Sequence, residues 1–227
     1  MNLFINYYDA KERADELEFC LEKNLENPYI KRIILFNEHP NPPKHEKITT
    51  IDVTKRPTYQ DFFDLTQNYE GVNIISNSDI FFDETIGLAE RIGENQCYAL
   101  TRWEYKSGRA VFFEQAHRIG NHACPAHYTQ DSWIIRGGCK LKNCDTVIAK
   151  RAEERIYDTI RFTIGIPGCD NVIAAKLKSV YQVSNPSLSI KTYHVHKNSK
   201  RKGYSHRITG EKSHWGIIGK GKVPATR

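Results

Sequence analysis

Apolar residues in this chain come in short, dense runs separated by polar stretches with a helical rhythm. Leu3 to Tyr8 (LFINYY), Ile33 to Phe36, Ile48 to Val53, Val72 to Ile75 and Cys97 to Thr101 each predict a short buried strand. Between the first two, Ala14, Leu17, Leu21 and Leu25 recur at helical spacing until Asn27-Pro28 stops the run. Asp9 is placed to cap that helix, with Glu12 three residues on in the manner of a capping box. Tyr59 to Tyr69 predicts a second helix with Phe62, Phe63 and Leu65 facing inward, and Glu84 to Ile92 a third. Strands alternating with helices predict an α/β protein built on a doubly wound parallel sheet. In such sheets the ligand lies beyond the carboxyl ends of the strands. Asn6 to Asp9 and Asn77 to Asp79, which end strands one and four, then share one rim.

Beyond Trp103 the pattern is less regular. Gly108 to Tyr128 reads as loop-rich, with three histidines, followed by a strand at Ser132 to Ile135. A helix at Asn171 to Leu177 and a strand at Tyr181 to Val183 complete the expectation.

The chain has 227 residues, 39% hydrophobic and 26% charged, which fits one large domain with ample core. No run approaches the about 18 consecutive apolar residues of a membrane-spanning helix. The start lacks the basic and apolar regions of a secretory signal, so the expected location is the cytoplasm of a bacterial or virus-infected cell. The net charge of +6 is uneven: residues 197–227 hold nine Lys/Arg and one Glu, so residues 1–196 sum to −2. The expected division is a domain over 1–196 and a basic tail over 197–227, flexible or ordered by a partner. Four of the six cysteines sit in apolar segments, where free cysteine behaves as a small hydrophobe.

Three constellations carry candidate chemistry. Asn77-Ser78-Asp79 ends a buried strand, where Asp79 fits either a divalent cation bridging a diphosphate or a cap on the next turn, with Asp83 capping the helix after it. Tyr193-His194-Val195-His196 puts two imidazoles on one strand face, as metal ligands or as a solvated edge. Asp131 and Asp170 lie at segment boundaries, and either suits a base that takes a proton from an acceptor hydroxyl. Asp170 also reads as an N-cap for the helix after it. His117, His122, Cys124, His127, Cys139 and Cys144 allow a zinc site, although their spacing matches no common finger. There is no Gly-x-x-x-x-Gly-Lys-Ser/Thr phosphate loop and no Gly-x-Ser-x-Gly elbow.

The order LFINYYD, FCLEKNLENPYI, KRPTYQDFFD, IISNSDIFFDETI, CYALTRWEY, TQDSWIIRG, GIPGCDNVIA and NPSLSIKTYHVH resembles small GT-A glycosyltransferases. These occur in large DNA viruses, phages and bacteria that build surface glycans. The order is also similar to the N-terminal glycosyltransferase domain of chlorovirus glycan-building proteins. The resemblance covers most of residues 2–196 and implies a central, mostly parallel twisted sheet flanked by helices. It further implies a nucleotide-sugar donor, UDP-sugar favoured, Mn²⁺ or Mg²⁺, and a glycan acceptor. Asn77-Ser78-Asp79 would stand at the family's Asp-x-Asp motif, with Asp79 the metal carboxylate and His194 or His196 a second ligand. Tyr7 and Tyr8 would approach the base and ribose, Arg56 the base or diphosphate, and Arg102 and Trp103 the donor sugar.

A nucleotidyltransferase on a similar sheet is one alternative. Others are a phage-type enzyme glycosylating modified DNA bases, or a non-catalytic nucleic-acid-binding protein. In the last two the basic tail would contact phosphates and its Tyr204, His206 and Trp215 would stack on bases.

Overall fold

Strand runs that are apolar on both faces need cover on both sides, and the computed structural model supplies it. It describes residues 1–140, 160–165 and 168–196. In chain order the strands are β1 (Asn2–Tyr7), β2 (Arg32–Asn37), β3 (Ile48–Asp52), β4 (Val72–Ser76), β5 (Ile80–Phe82) and β6 (Gln96–Leu100). There follow β7 (Trp103–Lys106), β8 (Arg109–Phe112), the two-residue strands β9 (Arg118–Ile119) and β10 (His122–Ala123), β11 (Ser132–Arg136), β12 (Gln182–Ser184) and β13 (Thr192–Val195). The α-helices are α1 (Ala14–Glu26), α2 (Tyr59–Thr66), α3 (Phe113–Ala116) and α4 (Cys169–Leu177).

The central sheet has the order β12-β6-β11-β4-β1-β2-β3. All its pairings are parallel except those of β11, which runs against both β4 and β6. The sheet is therefore mostly parallel, as expected, with β11 its one antiparallel member. The reason is connectivity: no long helix returns the chain after β6, so it re-enters at the rim where β6 ended. Period-two alternation sorts the side chains. Phe4, Ile34, Phe36, Ile75, Ala99 and Trp133 face α2 and α4. Leu3, Ile5, Ile33, Leu35, Ile74 and Ile134 face Leu21 of α1, Ile86 and Ala89.

A second sheet, β5-β13-β7-β8, stands at the rim. The strand pattern does not predict it, because β5 has three residues and β7 and β8 four each, too short for a periodic signal. The β7–β8 turn has Ser107 at φ 50° and Gly108 at φ 79°, the two left-handed positions that a tight hairpin needs. The free edge of β5 is closed by α1: Asn24 Nδ2 donates to Ile80 O at 2.9 Å, and Phe82 N donates to Asn24 Oδ1 at 3.1 Å.

Several local expectations are corrected. Asp9 does not cap α1; its Oδ1 accepts from Lys11 N at 3.0 Å, and a 3₁₀ turn at Lys11–Arg13 leads into the helix. The capping box belongs to α2, where Thr58 and Asp61 exchange hydrogen bonds. The segment Glu84–Arg91 is 3₁₀, with Asp83 as its cap. Asp170 lies inside the first turn of α4, whose N-cap is Gly168 at φ 89°. The tail 197–227 and Cys144 lie outside the described residues.

Candidate functional site

The ends of β1 and β4, the start of β11, the start of α4 and the second sheet surround one cavity of about 850 Å³. Topology explains why these segments meet. Because β11 is antiparallel, Asp131, the residue before it, lies beside Asn77, which follows β4: Asn77 N donates to Asp131 O at 3.0 Å. Because β13 lies between β5 and β7, His194 is paired with Ile80 on one side and Glu104 on the other.

The cavity floor is a chain of alternating charge. Glu16 Oε2 accepts from Arg13 Nε at 2.7 Å, and Arg13 Nη2 donates to Asp79 Oδ2 at 2.7 Å. His194 Nε2 is 3.3 Å from the same Asp79 oxygen, and its Nδ1 is 2.8 Å from Glu104 Oε2. Arg102 Nε donates to Glu104 Oε1 at 2.7 Å, and its Nη1 reaches Asp131 Oδ2 at 3.2 Å. Asp131 also accepts from Thr129 Oγ1 and from Asn77 Nδ2, each at 2.7 Å. His117 Nε2 adds a contact to Glu104 Oε1 at 2.8 Å.

These partners set the ionisation of the floor. Burial would raise the Asp79 carboxyl, but His194 and Arg13 hold it well below the usual carboxylate range. Glu104 is likewise held down, by His194 and Arg102 against its own burial. His194 is pushed up to about 9: burial opposes its charge, but Asp79 and Glu104 on either side outweigh that. Asp170 goes the other way. Burial first, and then the negative charge of Asp131, raise its carboxyl to about 7. Its Oδ1 accepts from Cys169 Sγ at 3.0 Å.

The structure brings most of the expected site residues together. Tyr8, Arg56, Asn77, Ser78, Asp79, Arg102, Asp131, Asp170, His194 and His196 all line the cavity. Ser78 Oγ donates to the Asn6 carbonyl, tying the ends of β4 and β1. The Arg56 guanidinium lies over the Tyr8 ring at 4.4 Å and 3.9 Å from Glu38. Two expected residues lie elsewhere. Tyr7 packs against the His39 ring at 5.6 Å, and Trp103 Nε1 donates to Ser187 O at 2.9 Å. Alternation accounts for both: their neighbours Tyr8 and Glu104 take the cavity-facing positions. Arg13, Glu16 and Glu104 went unnoticed in the sequence, and His117 was considered only as part of the zinc set. Each lies in a polar stretch that reads as a solvated face, and only long-range pairing reveals its position.

The family resemblance implies a divalent cation, and the donor set fits one. Asp79 Oδ2 and His194 Nε2 are close enough to share an ion, and Glu104 behind Nδ1 is the partner a ligating imidazole commonly has. The fit requires His194 to lose its proton and Arg13 to yield the Asp79 oxygen. Among the described residues no group of three or more His, Cys, Asp or Glu is arranged to hold a metal. Two protein ligands suit Mg²⁺ or Mn²⁺ completed by phosphate and water. The suggested cysteine–histidine zinc set does not assemble among the described residues; Cys139 is buried in the core between sheet and helices.

No protein-family model matches the chain, and a comparison with curated proteins finds no match. Among solved structures, S. aureus TarS 1-349 in complex with UDP-GlcNAc matches with a TM-score of 0.51 at 10% identity, over 91% of this chain and 61% of that one. The mannosyltransferase PcManGT from Pyrobaculum calidifontis, in complex with GDP-Man and Mn²⁺, gives a TM-score of 0.48 at 10% identity, over 88% of this chain and 57% of that one. The chain thus spans less than two thirds of the length of either. The fold is the GT-A type of α/β architecture, a mostly parallel central sheet flanked by helices.

Proposed function

We propose that this chain is a glycosyltransferase that moves a sugar from a nucleoside-diphosphate sugar to a hydroxyl acceptor, with Mn²⁺ or Mg²⁺ at Asp79 and His194. The observation that carries the reading is the pairing, across one cavity at the carboxyl ends of β1 and β4, of a metal-competent Asp–His pair with a separate carboxyl poised near neutrality. The first suits a diphosphate and the second an acceptor hydroxyl. TarS shares the fold and is seen with UDP-GlcNAc, which supports a UDP-sugar as donor here.

In this reading Tyr8 and Arg56, beside the end of β1, receive the nucleotide and its diphosphate. A cation held by Asp79 and His194 would neutralise the charge that grows on the departing diphosphate. Glu104 orients the His194 ring, and Arg102 fixes Glu104 and Asp131 relative to each other. Asp131 therefore holds the wall in place: both its oxygens are engaged by neighbouring side chains. Asp170 is the base. As the acceptor oxygen bonds to the anomeric carbon, its proton passes to the Asp170 carboxylate, and the bond to phosphate breaks with its electron pair leaving on the nucleoside diphosphate. A base on the acceptor side serves in-line attack, so the product anomer should be inverted.

A glycan is the favoured acceptor. A polyanionic acceptor such as DNA is the second reading, because the +8 tail begins at Lys197, directly after the cavity-lining His196. Release of nucleoside diphosphate from UDP-, GDP-, CDP- and dTDP-sugars, with and without Mn²⁺, tests the main reading. Metal-stimulated release from one donor supports it. No release from any donor in a folded protein rejects it.

A further inference from the structure

Asp79 offers the cavity one carboxylate, and its Oδ2 is already claimed by Arg13. The guanidinium is itself held. Its Nε donates to Glu16 at 2.7 Å, and the Glu16 side chain is 1% exposed at the first turn of α1. Arg13 thereby spends its fork on two carboxylates, a geometry that suits arginine and gives strong charge-assisted bonds. The backbone reinforces the placement: Arg13 N donates to Ala10 O at 3.0 Å in the 3₁₀ turn after β1. The position that would bring a second carboxylate to the motif is Asn77, whose amide donates to Asp131 instead. A cation approaching Asp79 thus meets one carboxylate that a guanidinium has already neutralised. A nucleoside diphosphate changes that balance, because it brings its own negative charge and oxygen ligands.

We propose that Arg13 is a resident counter-ion of Asp79, so that the divalent cation binds appreciably only together with the donor's diphosphate, toward which the freed guanidinium then turns. This rests on the donor-site reading given above. Donor and metal each strengthen the other's binding by the same factor, as reciprocity of binding free energies requires. Arg13 acts as a positioning residue, and its effect is read on metal binding rather than on turnover.

The experiment is a titration of the full chain with Mn²⁺ alone, followed by electron paramagnetic resonance, then repeated with UDP, GDP, CDP and dTDP in turn. Wild type should bind Mn²⁺ weakly alone and much more tightly with one nucleotide. Arg13→Gln should bind Mn²⁺ alone at least about tenfold more tightly, which corresponds to about 1.4 kcal/mol, and the gain from nucleotide should shrink. Arg13→Lys, which keeps the charge, should stay near wild type. Because Arg13→Gln removes the 2.7 Å ion pair of the buried Glu16, Arg13→Gln with Glu16→Gln serves as a second variant and should show the same gain. If both glutamine variants bind Mn²⁺ no more tightly than wild type while nucleotide still recruits the metal to all of them, the inference falls and the donor site stands. If no nucleotide recruits Mn²⁺ to any of them, the metal-dependent donor site falls, and the inference with it.

Discussion

Asp131 and Asp170 line the same cavity in opposite company. Asp131, at the head of β11, accepts from Arg102, Thr129 and Asn77. Asp170, in the first turn of α4, is raised to about 7 by burial and then by the charge of Asp131, against the opposing hydrogen bond from the Cys169 thiol. A related contrast separates two sides of the cavity. On the flank formed by β5, β13 and β7, Asp79 and Glu104 alternate with Arg13, His194 and Arg102, which hold both carboxyls down. On the α4 flank burial outweighs the charge-stabilising contacts that Cys169 and Arg102 give Asp170. Neighbours and burial move chemically identical carboxyls in opposite directions, Asp79 down and Asp170 up.

The sharpest way to break this contrast is Asp170→Asn. Loss of a general base costs about 10²–10⁴ in rate, so kcat should fall by that order while donor affinity and melting temperature stay close to wild type. Steady-state kinetics with calorimetry checks this, and an equally large loss of donor affinity would contradict it. Arg102→Met probes the other flank. It leaves Glu104 and Asp131 without their shared partner, and breaking a buried pair of this kind costs about 3–5 kcal/mol, read from urea unfolding. The smallest effect lies in pH dependence. A base with its carboxyl raised to about 7 is protonated and idle below that pH and ionised above it, so kcat/KM should rise as pH climbs through about 7. Removing the thiol hydrogen bond with Cys169→Ala destabilises the ionised form and should move that rise to higher pH. A shift to lower pH would assign the limb to another group.

How much of this was legible in the sequence follows the same divide. The ends of β1 and β4 could be read because a buried strand closing on Asn-Ser-Asp is a local pattern, and those residues do line the cavity. The helix over Tyr59–Thr66 and the core residues Phe62 and Phe63 were also visible as periodicity. The second sheet was not. Its strands have three or four residues each, and β13 pairs with partners about a hundred positions earlier in the chain. Glu104 becomes a site residue only through its register with His194, and Arg13 only through a hydrogen bond to Asp79 from 66 positions away. Trp103 was expected at the donor sugar from the resemblance, whereas alternation gave the cavity its neighbour Glu104. The antiparallel course of β11 was hidden too, since a strand's own residues do not state its direction.

The proposed function rests on Asp79 as the anchor of a metal-dependent nucleotide-sugar site. Isothermal titration of UDP-, GDP-, CDP- and dTDP-sugars into the full chain, with and without Mn²⁺, on wild type and Asp79→Asn, tests it most directly. The account predicts that one donor binds wild type in a Mn²⁺-dependent manner and that Asp79→Asn loses that dependence while remaining folded. Equal donor binding by both proteins, indifferent to Mn²⁺, would contradict it.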